Sequence, residues 1–244
     1  MSFSISGRAK DTLTYDASAS GAWYPYFIEN ENGHEGILIE VVDYLLDATG
    51  IDGNRVSLPA KRTQRAFANG LIDFDFTSPA WLAPSTDTSG FIFSDPIIPI
   101  REHIIYLKGT SLPANLLTNR QIQKPYIGTV RGYLYHNENM FKRVDFRSEK
   151  EILLALSLKR INWGIAGDLT ARYWATKLGV NLEIGPIHSD DQLHIRLQKE
   201  KAHLLPKINA AIKVLKQSGK LEQILRRYTH EAGDTTLPGN SATQ

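Results

Sequence analysis

"LPAKRTQRAFANGLIDFDFTS", residues 58–78, is the stretch that decides the fold. It finishes the strand-like run "NRVSLPA", passes through a helix-length segment from Arg62 to Asn69, and re-enters a strand-like run, "LIDFDFTS". Gly70 stops the helix, because a glycine just past the last turn adopts the left-handed conformation at low cost. Aromatic and branched residues at alternate positions then mark the second strand. A strand, a short helix and a strand in succession form the repeating unit of an α/β fold.

The pattern extends in both directions. Upstream, "DTLTYDAS" reads as a strand entering a loop, and Leu38, Val41, Val42, Leu45, Leu46 and Thr49 fall at helix spacing before a stop at Gly50. The order to Ser78 is therefore β-α-β-α-β. Downstream, after a proline-rich loop and "REHIIYLKG", a second set begins with the strand "KPYIGTV" and a helix opening near Gly132. Ser148 and Glu151 form a capping-box pattern ahead of Ile152, Leu153 and Leu156. "INWGIAGD" is a strand with an acidic end, Thr170 to Leu178 a helix stopped by Gly179, and "VNLEIGP" closes the set. "LHIRLQ" alternates as a strand, and Leu204, Leu205, Ile208, Ile212 and Leu215 mark a helix ending at Gly219. Leu221, Ile224, Leu225 and Tyr228 make one more helix, and the last residues, 231–244, read as a disordered tail. Two α/β sets of similar size imply two lobes.

Composition narrows the function. The chain has 244 residues, 42% of them hydrophobic, with 28 basic and 26 acidic side chains for a net charge of +2. Such a balance gives no field to hold nucleic acid or an anionic membrane, and the cluster "KRTQR" is too short to change that. The apolar runs are a few residues long, against the roughly 20 that a spanning helix needs. The absence of cysteine removes disulfides, thiol catalysis and thiolate metal sites, and suits an exported protein. The opening "MSFSISGRAKDTLTY" lacks the n- and h-regions of a secretory signal, so the chain is either cytosolic or a mature form with an added Met. Histidines at 34, 103, 136, 188, 194, 203 and 230 show no metal-ligand spacing, and no nucleophile elbow, phosphate loop or dinucleotide fingerprint occurs. No metal or cofactor is called for.

Taken in order, "WYPYF", "GHEGILIEVVDYLLDATG", "LPAKRTQRAFANGLIDFDFTS", "FIFSDPIIP", "IGTVRGYLY", "LALSLKRINWGIAGD" and "LPKINAAIKVLKQSGKLEQILRRY" resemble one family. It is the family of bacterial periplasmic solute-binding proteins that serve polar amino acid ABC transporters, extracellular solute-binding protein family 3. The resemblance runs from about Leu13 to Tyr228. It implies a type II periplasmic binding fold: two lobes, each a mixed β-sheet flanked by helices, joined by crossover strands near Tyr106 to Gly109 and Pro186 to Gln192. Residues 1–106 and 192–230 would form lobe one and residues 107–191 lobe two. It further implies a periplasmic monomer that hands a small polar solute, amino-acid-like or a small carboxylate, to a membrane permease.

Ligands of open α/β sheets sit at the carboxyl ends of strands, which points to the residues after "LTY", "DFDF", "YIGTV" and "WGIAG". The resemblance places Tyr24 where the family stacks an aromatic ring on its ligand, and with Trp23 and Tyr26 it would build an apolar wall with polar tips; the alternative is core packing. Thr77 and Ser78 stand where the family holds a ligand carboxylate; the alternative is turn chemistry before Pro79. The arginine that normally follows is missing from "TSPAWLAPSTDTSG", where Ser85 takes its place. Trp81 offers a second ring to the cleft or packs beneath "SDPIIP". Arg62, with Arg65, either supplies the missing cation or lies on a solvated helix face. Arg131 and Gly132 form the strand-to-helix turn of lobe two, and the free N–H groups of Tyr133, Leu134 and Tyr135 would make an anion site. Arg131 alternatively forms a salt bridge to Glu138 or to the other lobe. Asp168 matches the family's ammonium-binding acid, or serves as a helix cap. These features favour non-catalytic capture by hinge closure, with a dehydratase of a cyclic carboxylic acid on the same fold, or a ligand sensor, as alternatives.

Overall fold

A computed structural model describes residues 10–17, 23–28, 35–58, 60–118 and 123–230, so the tail at 231–244 lies outside the described residues. The first half runs β1 (Thr12–Asp16), α1 (Ile37–Thr49), β2 (Asp52–Val56), α2 (Ala60–Ala68), β3 (Phe74–Thr77), β4 (Phe91–Phe93) and β5 (Ile98–Leu107). The second runs β6 (Tyr126–Val130), β7 (Lys142–Phe146), α3 (Glu149–Ser157), β8 (Trp163–Gly167), α4 (Asp168–Leu178) and β9 (Leu182–Gln198), then α5 (Leu205–Gln217) and α6 (Lys220–His230).

The expected helix stops are present. Gly50 and Gly179 sit at φ 67° and 62°, in the left-handed region that ends α1 and α4. Ser148 Oγ accepts the Glu151 N–H and so caps α3, while the Glu151 carboxylate accepts the Arg147 N–H.

Helical connections force parallel neighbours. Thus β1 lies parallel to β2 and β3 by way of α1 and α2, and α3 carries the chain from β7 to β8, which lies parallel to β6; β6 and β7 are parallel across a connection without an α-helix. The strand order is β2-β1-β3-β9-β5-β8-β6-β7, with β4 also paired to β9. The long strand β9 belongs to both halves: its end pairs antiparallel with β3, and its start pairs antiparallel with β5, from Ile98↔Leu193 to Leu107↔Leu182. These two strands join the lobes, and their register shifts around Glu102 and His103. Such bulges bend strands locally. Each lobe keeps its own core, one built on Leu38, Val42, Phe74, Ile212 and Ile224, the other on Ile105, Val130, Ile152, Leu153 and Ala171. At roughly 1.5–3 kcal/mol for each large apolar side chain buried, these clusters dominate the stability of the lobes.

The structure corrects several readings. "VNLEIGP" and "LHIRLQ" are parts of one strand, β9, and "KRVDF" forms β7, which no periodicity announced. The strand expected over "NRVSLPA" begins earlier and ends at Val56. No helix opens at Gly132. Gly132 turns the chain at φ 89°, the Tyr133 N–H donates to Val130 O at 3.1 Å, and the buried Tyr135 hydroxyl accepts the Val130 N–H at 3.1 Å. Arg143 then donates to the carbonyls of Val130 and Tyr133 at 2.9 and 3.1 Å. Side chains thus occupy backbone groups that a helix would have used, and only a short 3₁₀ turn follows at Glu138–Met140.

Candidate functional site

The four strand ends singled out above converge. Asp16 ends β1, Thr77 ends β3, Gly132 follows β6 and Gly167 ends β8, and all four line one cavity of about 120 Å³ between the lobes. Lobe one adds Trp23, Phe27, Gln64, Asp75, Phe76, Trp81 and Arg196, and lobe two adds Tyr133, Leu134 and Glu149. Glu102 and Ile100 come from the connecting strand β5. Pockets for drug-sized ligands measure ~300–1,000 Å³, so this one suits a compact solute. It shares Gln64, Trp81, Leu134 and Arg196 with a neighbouring groove of about 740 Å³.

The lobes touch through specific groups. Gln64 on α2 donates to the Gly132 carbonyl, and Thr170 Oγ1 on α4 donates to the Tyr24 carbonyl at 2.6 Å. The Tyr24 ring stacks on Tyr173 of α4 with centroids 3.4 Å apart, and Trp23 meets Tyr133 edge-on at 6.4 Å.

Of the anticipated residues, Trp23, Thr77, Trp81, Gly132, Tyr133 and Leu134 lie in the wall. Thr77 Oγ1 donates to Asp75 Oδ1 at 3.3 Å, and the Trp81 indole stands edge-on to Trp23 at 5.9 Å. The others lie outside the wall, Arg65 exposed on α2 and Tyr135 in the neighbouring groove. Tyr24 is engaged with Tyr173, and Tyr26 is buried against Trp23, where desolvation and then the charges of Asp168 and Glu102 hold its hydroxyl protonated. Ser78 is fully buried; its hydroxyl donates to Asp191 at 2.9 Å and accepts the Ala80 N–H, the turn chemistry expected before Pro79. Arg62 and Arg131 are exposed. The Glu138 carboxylate pairs with Arg143. Asp168 begins α4 and accepts the Leu169 N–H at 2.7 Å; burial pushes its carboxyl up, and that bond with His103, Arg172 and Arg101 pulls it back.

Charged wall residues that the sequence did not announce define the chemistry. Asp75 and Arg196 face each other across β3 and β9, and Arg196 grips both carboxylate oxygens, at 2.9 and 2.5 Å. The guanidinium also lies 4.1 Å from the Phe67 ring centroid. A bidentate buried pair of this kind leaves little of the arginine's charge for a ligand. Asp16 accepts the Thr63 hydroxyl and the Leu58 N–H, and Glu102 accepts the Ser189 hydroxyl at 2.7 Å. Glu149, at the start of α3, is 2% exposed, and its Oε2 has no hydrogen-bond partner among the described residues. Desolvation, reinforced by Glu102, pushes its carboxyl up to about 8 against the pull of its own backbone N–H. The Trp81 indole N–H is also without a partner. Among the described wall residues, four carboxyl groups thus face one committed arginine.

Among the described residues no helix is long and apolar enough to cross a membrane. Comparison with curated proteins by sequence gave no match. Among solved structures, a mutant of ArgBP from T. maritima superposes with a TM-score of 0.71 at 21% identity, over 90% of this chain and 95% of that one. An ancestral arginine-binding protein bound to arginine gives 0.71 at 19% identity, over 91% and 99%. An ancestral amino acid-binding protein, described as a precursor of cyclohexadienyl dehydratase, gives 0.68 at 18% identity, over 89% and 95%. At these identities the likeness establishes the two-lobe fold. The family model for bacterial extracellular solute-binding proteins, family 3, matches residues 17–231, and the chain belongs to that family.

Proposed function

We propose that this protein captures a small polar solute in the cavity between its lobes and delivers it to an ABC transporter permease. The observation that carries the reading is the convergence of the four strand ends, from both lobes, on one compact cavity with aromatic and carboxyl walls. Strand ends are where open α/β sheets place their ligands, and a site split between lobes links occupancy to hinge closure. The excess of carboxyl groups favours a polar solute that carries a cationic group over a simple carboxylate. A periplasmic monomer, with lobe one at residues 1–106 and 192–230 and lobe two at 107–191, goes with this role. Arginine and amino acid binding by structural relatives supports the size and polarity of the solute.

A thermal-shift screen of amino acids, opines, polyamines and small carboxylates tests it. A ligand that binds only the folded cleft raises the melting temperature with concentration. Trp81→Ala should weaken that response at least tenfold in ligand concentration, whereas Arg62→Ala, on the exposed face of α2, should leave it intact. No response to any of these solutes, or an unchanged response in Trp81→Ala, contradicts the proposal.

Glu149 favours one second reading. A carboxyl that stays protonated near neutral pH in a ligand cavity is suited to general-acid catalysis, as in dehydration of a cyclic carboxylic acid. Mass spectrometry of such a substrate after incubation decides, since a dehydratase removes the mass of one water and a binding protein removes nothing.

A further inference from the structure

Resting on the reading of the cavity as the ligand site, we propose that its solute is a compact amine or guanidine without a carboxylate, paired with Glu149. Three observations lead there. Among the described residues the cavity wall presents the carboxyl groups of Asp16, Asp75, Glu102 and Glu149 and one cation, Arg196, which is committed through two hydrogen bonds to Asp75. With Asp75 paired and Glu149 protonated, an entering carboxylate would still meet the remaining wall carboxylates, Asp16 and Glu102, with no free fork to hold it.

The second observation concerns Glu149 itself. Among the described residues it is the wall carboxyl with an oxygen that no protein group satisfies, although the residue is almost wholly buried. Buried polar atoms are normally paired, and an unpaired one beside a cavity calls for a partner supplied from outside the chain. An ammonium or guanidinium N–H is the strongest partner available to it. By contrast Asp168, matched to the ammonium-binding position by resemblance, is not in the wall and accepts the Leu169 N–H.

Third, the remaining wall complements a cation. Trp23, Phe27, Phe76 and Trp81 offer ring faces or edges to the same space, and ring faces attract cations. The unpartnered indole N–H of Trp81 is a single neutral donor, suited to a hydroxyl or amide oxygen and without the charge that grips a carboxylate.

Binding then carries a proton signature. The titratable groups coupled to Glu149 are Glu102 on β5 and the hydroxyls of Tyr133 and Tyr135 on the loop after β6; desolvation and Glu102 keep its carboxyl protonated at pH 7. Arrival of a cation favours the carboxylate, so the carboxyl proton passes to solvent and close to one proton is released per cation bound.

Isothermal titration of the whole chain with two matched pairs, agmatine against arginine and cadaverine against lysine, tests the inference. Within each pair the cationic chain is kept and the α-carboxylate is removed or present. The carboxylate-free member should bind at least tenfold tighter. Its apparent heat at pH 7 should vary with the ionisation heat of the buffer as release of close to one proton requires. Glu149→Gln should lose at least tenfold in affinity for agmatine and lose the buffer dependence. Tighter binding of arginine or lysine, or unchanged proton release in Glu149→Gln, overturns the inference and leaves solute capture standing. Failure of all four cations to bind overturns the inference, and solute capture falls with it only if the broader screen is also silent.

Discussion

Replacing Glu149 by glutamine should reshape the pH dependence of stability. In the folded chain the carboxyl is pushed up to about 8, chiefly by desolvation, whereas in the unfolded chain it titrates near an ordinary glutamate's ~4.3. Between those values the folded state holds a proton that the unfolded state has released. Stability from this group is therefore full below about pH 4, declines as pH rises, and is lost by about pH 8. Each pH unit in the window is worth ~1.4 kcal/mol, so the whole difference has an upper bound of about 5 kcal/mol. Glutamine cannot ionise, and it fills nearly the same volume in the wall. Urea denaturation of both proteins, without ligand, at intervals from pH 5 to pH 9 gives the test. The variant's stability relative to the parent should climb with pH by several kcal/mol and level off above pH 8. Parallel curves would refute the claim that Glu149 is buried and protonated.

Other perturbations probe the wall and the contacts between the lobes. Arg196→Met strands Asp75 without its buried partner and should cost about 3–5 kcal/mol in urea denaturation, with Asp75→Leu in the same chain recovering most of it. Tyr173→Ala removes the ring that stacks on Tyr24 between the lobes; at ~0.5–1.5 kcal/mol for such a pair, solute affinity should fall about 2- to 12-fold by calorimetry without loss of folded structure. Gly36→Ala adds a Cβ 2.5 Å from the Tyr26 carbonyl at φ 106°, so it should lower stability by at least about 1–3 kcal/mol in a thermal melt.

Much of the fold was legible because its signals are local. Apolar residues at helix spacing from Leu38 to Leu45, the stops at Gly50 and Gly179, and the cap at Ser148 each depend on neighbours within a turn, and each is present. The segment after Gly132 misled because Arg143, ten residues farther on, takes the Tyr133 carbonyl, and Tyr135 folds back to Val130. Hydrogen bonds over that distance leave no periodicity.

The site divides along the same line. Strand ends could be read from the sequence, and they gave Thr77, Gly132 and the neighbourhoods of Asp16 and Gly167. The Asp75–Arg196 pair could not, because it depends on the antiparallel register of strands about 120 residues apart. Even so, Asp75 between Phe74 and Phe76, and Arg196 between Ile195 and Leu197, were charges set within alternating strands. Glu149 was hidden behind the capping box beside it, whose partner Glu151 drew the reading. Its importance lies in burial, which sequence position does not express.

The central claim is that the solute sits in the cavity between the lobes, and a crystal structure with the tightest ligand from the screen tests it most directly. Electron density for that ligand should lie between Trp23, Trp81 and Glu149, with a cationic nitrogen within hydrogen-bond reach of Glu149 Oε2. Density confined to the neighbouring groove by Ser85 and Asp87, with the cavity holding only water, would contradict the account.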